Sequence, residues 1–160
     1  MILPVPGAWA GDNCQAFRAI IRGTYPTPVQ LREGDVWGGE IWASLGGQEL
    51  LFGQFAGNDG TESGHGMMVS VRGGSYKYDF GANGSFTTEV HAVGTFPPGK
   101  IMFGYYMGAA KIAQGTGRFQ SASGNIQVAG PFIGWTFDGV NFEARWNAEI
   151  SGTVCNVSAP

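Results

Sequence analysis

Residues 114–124 read Gln-Gly-Thr-Gly-Arg-Phe-Gln-Ser-Ala-Ser-Gly, and no other stretch constrains the fold as tightly. Gly115 and Gly117 bracket Thr116, a spacing that lets a backbone turn sharply, at positive φ, where a side chain would clash. Residues 118–122 then alternate as a short strand, with Phe119 as an inward anchor. A glycine turn joined to an alternating strand is what a barrel corner requires, so the first expectation is an all-β chain.

The same grammar recurs along the chain. Phe17, Ala19 and Ile21 alternate with Arg18, Ile20 and Arg22 in a strand expected over residues 13–22. Pro26 and Pro28 end it, because neither can donate to a ladder. Residues 36–45 place Trp37, Ile41, Ala43 and Leu45 on one face and Glu40 and Trp42 on the other, and Gly46-Gly47 is a hairpin turn into residues 50–56. Further strands are expected at 67–71, 76–80, 85–93, 101–107, 126–128, 133–137 and 142–154. Their corners fall at Gly73-Gly74, residues 81–84, Pro97-Pro98-Gly99, Gly130-Pro131 and Asp138-Gly139. The polar stretch 57–66 reads as the longest loop. No long segment has a helical period. Turns at this spacing indicate one closed antiparallel β-barrel of about eight strands, since closure removes exposed edges. Such a barrel holds packed side chains or one small ligand. Residues 1–12 form an N-terminal segment and 13–156 the single barrel domain.

Composition narrows the function classes. Charged residues are only 13% and aromatics also 13%, which favours a cavity or a partner interface, homo-oligomerisation included. The net charge is −3 and the nine Lys and Arg are scattered singly, so nucleic-acid binding and a polybasic membrane anchor are not expected. No run of apolar residues is long enough to span a bilayer, and residues 1–7 lack the charged and apolar regions of an export signal. A cytoplasmic protein is expected, a secreted mature form being the alternative. Cys14 and Cys155 lie near opposite ends of the chain, where barrel topology makes first and last strands neighbours. A disulfide is therefore geometrically open, but without an export signal the preferred reading is two separate buried thiols.

The candidate chemistry is acid–base and apolar. Two His and two Cys with no close pair give no metal site, and the glycines at 115 and 117 do not open a helix as a dinucleotide site would need. No nucleophile motif is present. Glu89 and His91 stand two apart on one strand, so they share a face and could move a proton; the alternative is a solvent face opposite Val90 and Ala92. Tyr76, Tyr78 and Phe80 form one aromatic row and Phe103, Tyr105 and Met107 another. Either could line an interior, where a tyrosine hydroxyl such as that of Tyr105 orients a carbonyl or enol, or could simply pack the core. Trp37, Trp42 and Trp135 extend the apolar lining. The catalytic candidates are thus Glu89, His91 and Tyr105, and the substrate-binding candidates Trp37, Trp42, Tyr76, Tyr78, Phe103 and Trp135.

The phrase formed by Gly115, Thr116, Gly117, Phe119, Ala122 and Gly124 resembles the G-T-G-x-F-x-x-A-x-G signature of the allene oxide cyclase-like and dirigent-like barrels, with weaker support from Asn147-Ala148-Glu149-Ile150-Ser151-Gly152. The resemblance covers about ten residues of the frame. It implies an eight-stranded barrel that folds a lipophilic substrate, fatty-acid-like or polyketide-like, without a cofactor, as a cyclase or isomerase working by orientation. It carries no catalytic residue onto this chain. A non-catalytic barrel that binds a hydrophobic small molecule or a protein partner is the other reading.

Overall fold

The computed structural model describes residues 13–25, 36–58, 61–65, 68–95, 101–136 and 142–160. Nine strands run through these residues: β1 (Cys14–Tyr25), β2 (Val36–Leu45), β3 (Glu49–Asn58), β4 (Thr61–His65), β5 (Met68–Asp79), β6 (Ser85–Thr95), β7 (Ile101–Gly115), β8 (Ser123–Thr136) and β9 (Phe142–Cys155). The ladder order is β3-β2-β1-β9-β8-β7-β6-β5-β4, and β3 also pairs with β5, which closes the sheet. Strands β3 and β4 follow each other along one partner, Asn58 opposite Ser75 and Thr61 opposite Arg72. They fill one place, and the result is the expected eight-stranded antiparallel barrel.

Alternation builds the core. Phe17, Ala19 and Ile21 of β1, Ile41, Ala43 and Leu45 of β2, and Tyr76 and Tyr78 of β5 are buried, while Arg18, Arg22, Glu40 and Lys77 between them face outward. At one end the interior is aromatic. Tyr78 stacks on Phe86 with ring centroids 4.6 Å apart, Phe17 meets Phe86 edge-on at 5.6 Å, and Phe119 lies 5.3 Å from Phe86. Each such pair adds about 0.5–1.5 kcal/mol beyond the area it buries.

The corner at 115–119 closes that end. Phe119 is fully buried as anticipated, but residues 117–119 form a single 3₁₀ turn instead of the start of a strand. Gly117 has φ +56, and a Cβ there would sit 2.9 Å from Gly84 Cα. Gly115 needs its bare Cα for a different reason, since a Cβ would meet the Phe119 carbonyl oxygen at 1.8 Å. Thr116 ties the corner to β6: its Oγ1 accepts from the Ser85 amide at 3.0 Å and its own amide donates to Ser85 O at 2.7 Å.

Several expected boundaries shift, for one physical reason. Ladder partners carry strands through glycines and polar residues that would end an isolated strand. Gly73 is a bulge within continuous β5, where the β6 register slips between Arg72 and Gly74. Gly130-Pro131 lies inside β8, and the expected loop at 57–66 contains the end of β3 and all of β4. The turns at Pro97-Pro98-Gly99 and Asp138-Gly139 lie outside the described residues. Gly46 and Gly47 do turn the β2–β3 hairpin, at φ +62 and +75.

The cysteines correct the expectation of separate thiols. Cys14 of β1 and Cys155 of β9 are ladder partners, and they form a disulfide between the first and last strands. Neighbouring termini, which the topology imposes, make the bond reachable.

Candidate binding interior

The inner positions of the barrel converge on a small group of hydroxyls. Thr88 of β6 is the ladder partner of Tyr76, and Tyr78 is two residues further along β5. Tyr76 and Tyr106 are hydrogen-bonded hydroxyl to hydroxyl, with their rings 6.5 Å apart. The ladder partners of Tyr106 are Gly94 and Gly130, and that of Tyr76 on β3 is Gly57; all three glycines are buried. Large rings therefore alternate with bare backbone at this level, which is how a narrow barrel accommodates tyrosines.

Two of these hydroxyls lack a hydrogen bond of ordinary geometry. Tyr78 Oη and Thr88 Oγ1 are buried, meet each other at looser than ordinary hydrogen-bond geometry, and have no other polar partner. Burial pushes the Tyr78 phenol well above its ordinary range; the Thr88 hydroxyl opposes this and Tyr106 adds to it. Tyr78 is thus a neutral hydroxyl, suited to donating to a neutral oxygen and unsuited to acting as a base. Around the group stand Phe55, Phe86, Val90 and Ile112, so its setting is apolar.

Beneath the aromatic end, Arg118 is held by Glu49, Ser158 and Asn83. It donates to both carboxylate oxygens of Glu49, Nη2 to Oε2 at 3.0 Å, and its Nε donates to Ser158 O at 2.9 Å. The Arg118 hydrogen bond holds the Glu49 carboxyl below its ordinary range, ahead of the opposing desolvation. This clasp joins the β2–β3 hairpin to the corner and the C-terminal segment. It is a structural pair, planar and bidentate.

The sequence candidates divide between inside and outside. Tyr76 and Tyr78 are interior. Glu89 and His91 share a face as expected, but it is the outer one: their side chains are 63% and 65% exposed, with Oε1 and Nε2 4.0 Å apart, while Val90 and Ala92 point inward. Tyr105 is also outside, 50% exposed, as is Met107, and Tyr106 takes the interior place that the expected row assigned to its neighbours. Trp42 lies on the outer face of β2, partly buried, because Ile41 and Ala43 own the inner positions. The backbones of Trp37, Phe103 and Trp135 belong to β2, β7 and β8, and their side chains lie outside the described residues. Tyr106 and Thr88 escaped the sequence reading.

Among the described residues, no three His, Cys, Asp or Glu side chains gather to hold a metal ion, and no helix is long and apolar enough to cross a membrane. No family model, curated protein or solved structure matches the chain.

Proposed function

We propose that the barrel binds a small lipophilic molecule in its interior and holds it through the hydroxyls of Tyr76, Tyr78, Thr88 and Tyr106. The observation that carries this reading is the buried pair Tyr78 Oη and Thr88 Oγ1, which meet only each other and at looser than ordinary hydrogen-bond geometry, in apolar surroundings. Leaving a buried hydroxyl unpaired costs about 1–3 kcal/mol. A carbonyl or hydroxyl oxygen on a bound molecule would recover that cost, and the neutral Tyr78 phenol favours an uncharged acceptor.

A cofactor-free cyclase or isomerase acting by orientation is the enzymatic form of this proposal, in keeping with the resemblance of residues 115–124 to allene oxide cyclase-like barrels. The carrier form is favoured by a specific observation: Glu89, His91 and Tyr105, the proton-transfer candidates, all face outward. The Cys14–Cys155 bond supports an oxidising compartment over the cytoplasm.

The test has two parts. Organic extracts of the purified protein are examined by mass spectrometry for a bound apolar molecule, and medium-chain fatty acids and a planar aromatic ketone are titrated against tryptophan emission. Tyr106→Phe and Thr88→Val should each weaken binding by roughly tenfold, equivalent to about 1.4 kcal/mol. Glu89→Gln and His91→Ala should leave it unchanged. If no extract contains a ligand and no probe enters, the interior is a packed core and the proposal fails.

A further inference from the structure

Residues 156–158 read Asn-Val-Ser, the N-x-S pattern of an acceptor for N-glycosylation. Such a pattern has meaning only in a chain that folds in a secretory compartment. The Cys14–Cys155 disulfide belongs to an oxidising setting of that kind, and its second cysteine immediately precedes the asparagine. A covalent bond and a sequence pattern, two independent observations, thus meet at the end of β9.

The surroundings of Asn156 suit a large substituent. Its backbone amide donates to Asn13 O at 3.2 Å, the Ser158 amide donates to Arg118 O at 3.0 Å, and Val157 between them is buried. The backbone is therefore pinned on both sides of the acceptor. Asn156 has φ +60, the one positive φ outside glycine among the described residues, and asparagine enters this region more readily than most side chains. Its side chain stands at the surface, where Nδ2 donates to Ser123 Oγ at 3.4 Å. A sugar replaces one of the two hydrogens on that nitrogen and leaves the other for Ser123. Ser158, whose hydroxyl completes the pattern, is exposed as well.

A second N-x-S pattern, Asn83-Gly84-Ser85, is placed differently. Asn83 is half-buried, with Oδ1 accepting from Arg118 Nη1 at 3.4 Å, and the buried Ser85 shares its hydroxyl with Thr116 Oγ1 at 3.0 Å. Gly84 lies so close to the corner that a Cβ there would sit 2.2 Å from Thr116 O. A glycan rooted at Asn83 would crowd this packed corner.

We propose that Asn156 is an N-glycan acceptor and that Asn83 is not. The donor is a lipid-linked diphosphate oligosaccharide, transferred by the glycosylation machinery of the compartment. Asn156 Nδ2 forms a bond to C1 of the first sugar and gives up a proton, the bond from C1 to the diphosphate oxygen breaks, and the lipid diphosphate leaves. The glycan then stands outside the barrel beside Cys14 and Cys155, where β1 and β9 end and β8 begins. This site is independent of the interior.

The full chain, fused to a secretion leader and expressed in a eukaryotic secretory host, provides the test. Secreted and retained protein are pooled and read by intact mass and peptide mapping before and after treatment with peptide N-glycosidase, which leaves Asp where a glycan stood. A glycan is expected at Asn156, with none at Asn83. Ser158→Ala should abolish it, Ser158→Thr should retain it, and Asn83→Gln should leave it unchanged. Ser158→Ala is the decisive variant: Asn156→Gln would strain a residue at positive φ, whereas loss of the Ser158 hydroxyl keeps both backbone bonds to Arg118. Chains without a glycan at Asn156, whether or not the disulfide has formed, would overturn the proposal. So would a glycan at Asn83 alone, or a Ser158→Ala chain that keeps its glycan.

Discussion

The Cys14–Cys155 disulfide should be the largest single contribution to the stability of this barrel. Its cysteines are separated by 141 residues, so the bond turns almost the whole unfolded chain into a closed loop. Within the chain-entropy model, a loop of that length removes roughly 17 cal/mol/K from the unfolded ensemble, or about 5 kcal/mol at 25 °C. The native state gains little in exchange, because β1 and β9 are already joined along their length by twelve ladder pairs from Cys14–Cys155 to Tyr25–Ala144. With an unfolding entropy of about 2.1 cal/mol/K per residue, 5 kcal/mol corresponds to a fall of about 15 °C in Tm. The assay is thermal unfolding of the wild type with and without reductant, beside the Cys14→Ala/Cys155→Ala double variant. The reduced protein and the variant should melt together, far below the oxidised form, with the same folded-state circular dichroism. A difference under about 5 °C would refute the reasoning, since it would mean either that the thiols are unpaired or that the unfolded chain already keeps its ends together.

Three further expectations concern particular side chains. Gly117→Val should cost about 1–3 kcal/mol, because a β-branched residue is forced to positive φ against Gly84, and an unchanged melt would show that the corner can relax. Arg118→Met should cost about 1–3 kcal/mol through the partner it leaves behind, and its effect should depend on pH. The folded-state pKa of Glu49 is depressed, so the ion pair stabilises fully above the unfolded carboxylate pKa of about 4.3, and this is lost as pH falls through the folded value. The gap in Tm between wild type and variant should thus be flat near neutrality and close on acidification; a gap that widens in acid would contradict the assignment. Thr88→Val should leave the ligand-free protein within about 1 kcal/mol of wild type, because it removes a hydroxyl that meets Tyr78 at looser than ordinary hydrogen-bond geometry, and a loss much larger than this in chemical denaturation would mean that the hydroxyl is well satisfied.

Much of the barrel could be read from alternation and glycine, because a closed antiparallel sheet is specified largely by local pattern and turn chemistry. The β2–β3 hairpin, the burial of Phe119 and the inner faces of β1 and β2 all follow from residues close in sequence. What alternation could not supply is the effect of a neighbour. Residues 61–65 are polar and turn-forming, and they are a strand because 68–72 offers them a ladder. Gly130-Pro131 looks like a corner, yet Tyr105 and Tyr106 across β7 hold it extended. The Glu49–Arg118 clasp joins residues 69 positions apart, and no local signal announces such a pair.

The site was harder to read because alternation groups residues by face without saying which face is inside. On β5 a charge decides the matter: Lys77 must be outward, so Tyr76 and Tyr78 on either side of it are inward. The same argument was available on β7, where Lys111 shares its parity with Ala109, Met107 and Tyr105 and places all of them outside. Tyr106 then falls on the inner set with Gly108 and Ala110, and its ladder partners Gly94 and Gly130 make room for the ring. Glu89 and His91 obey the same logic in reverse, because two ionisable groups sharing a face opposite Val90 and Ala92 remain hydrated at far lower cost than inside the barrel. Among the described residues the interior polar groups are thus hydroxyls, while Lys77, Glu89, His91 and Lys111 all face outward.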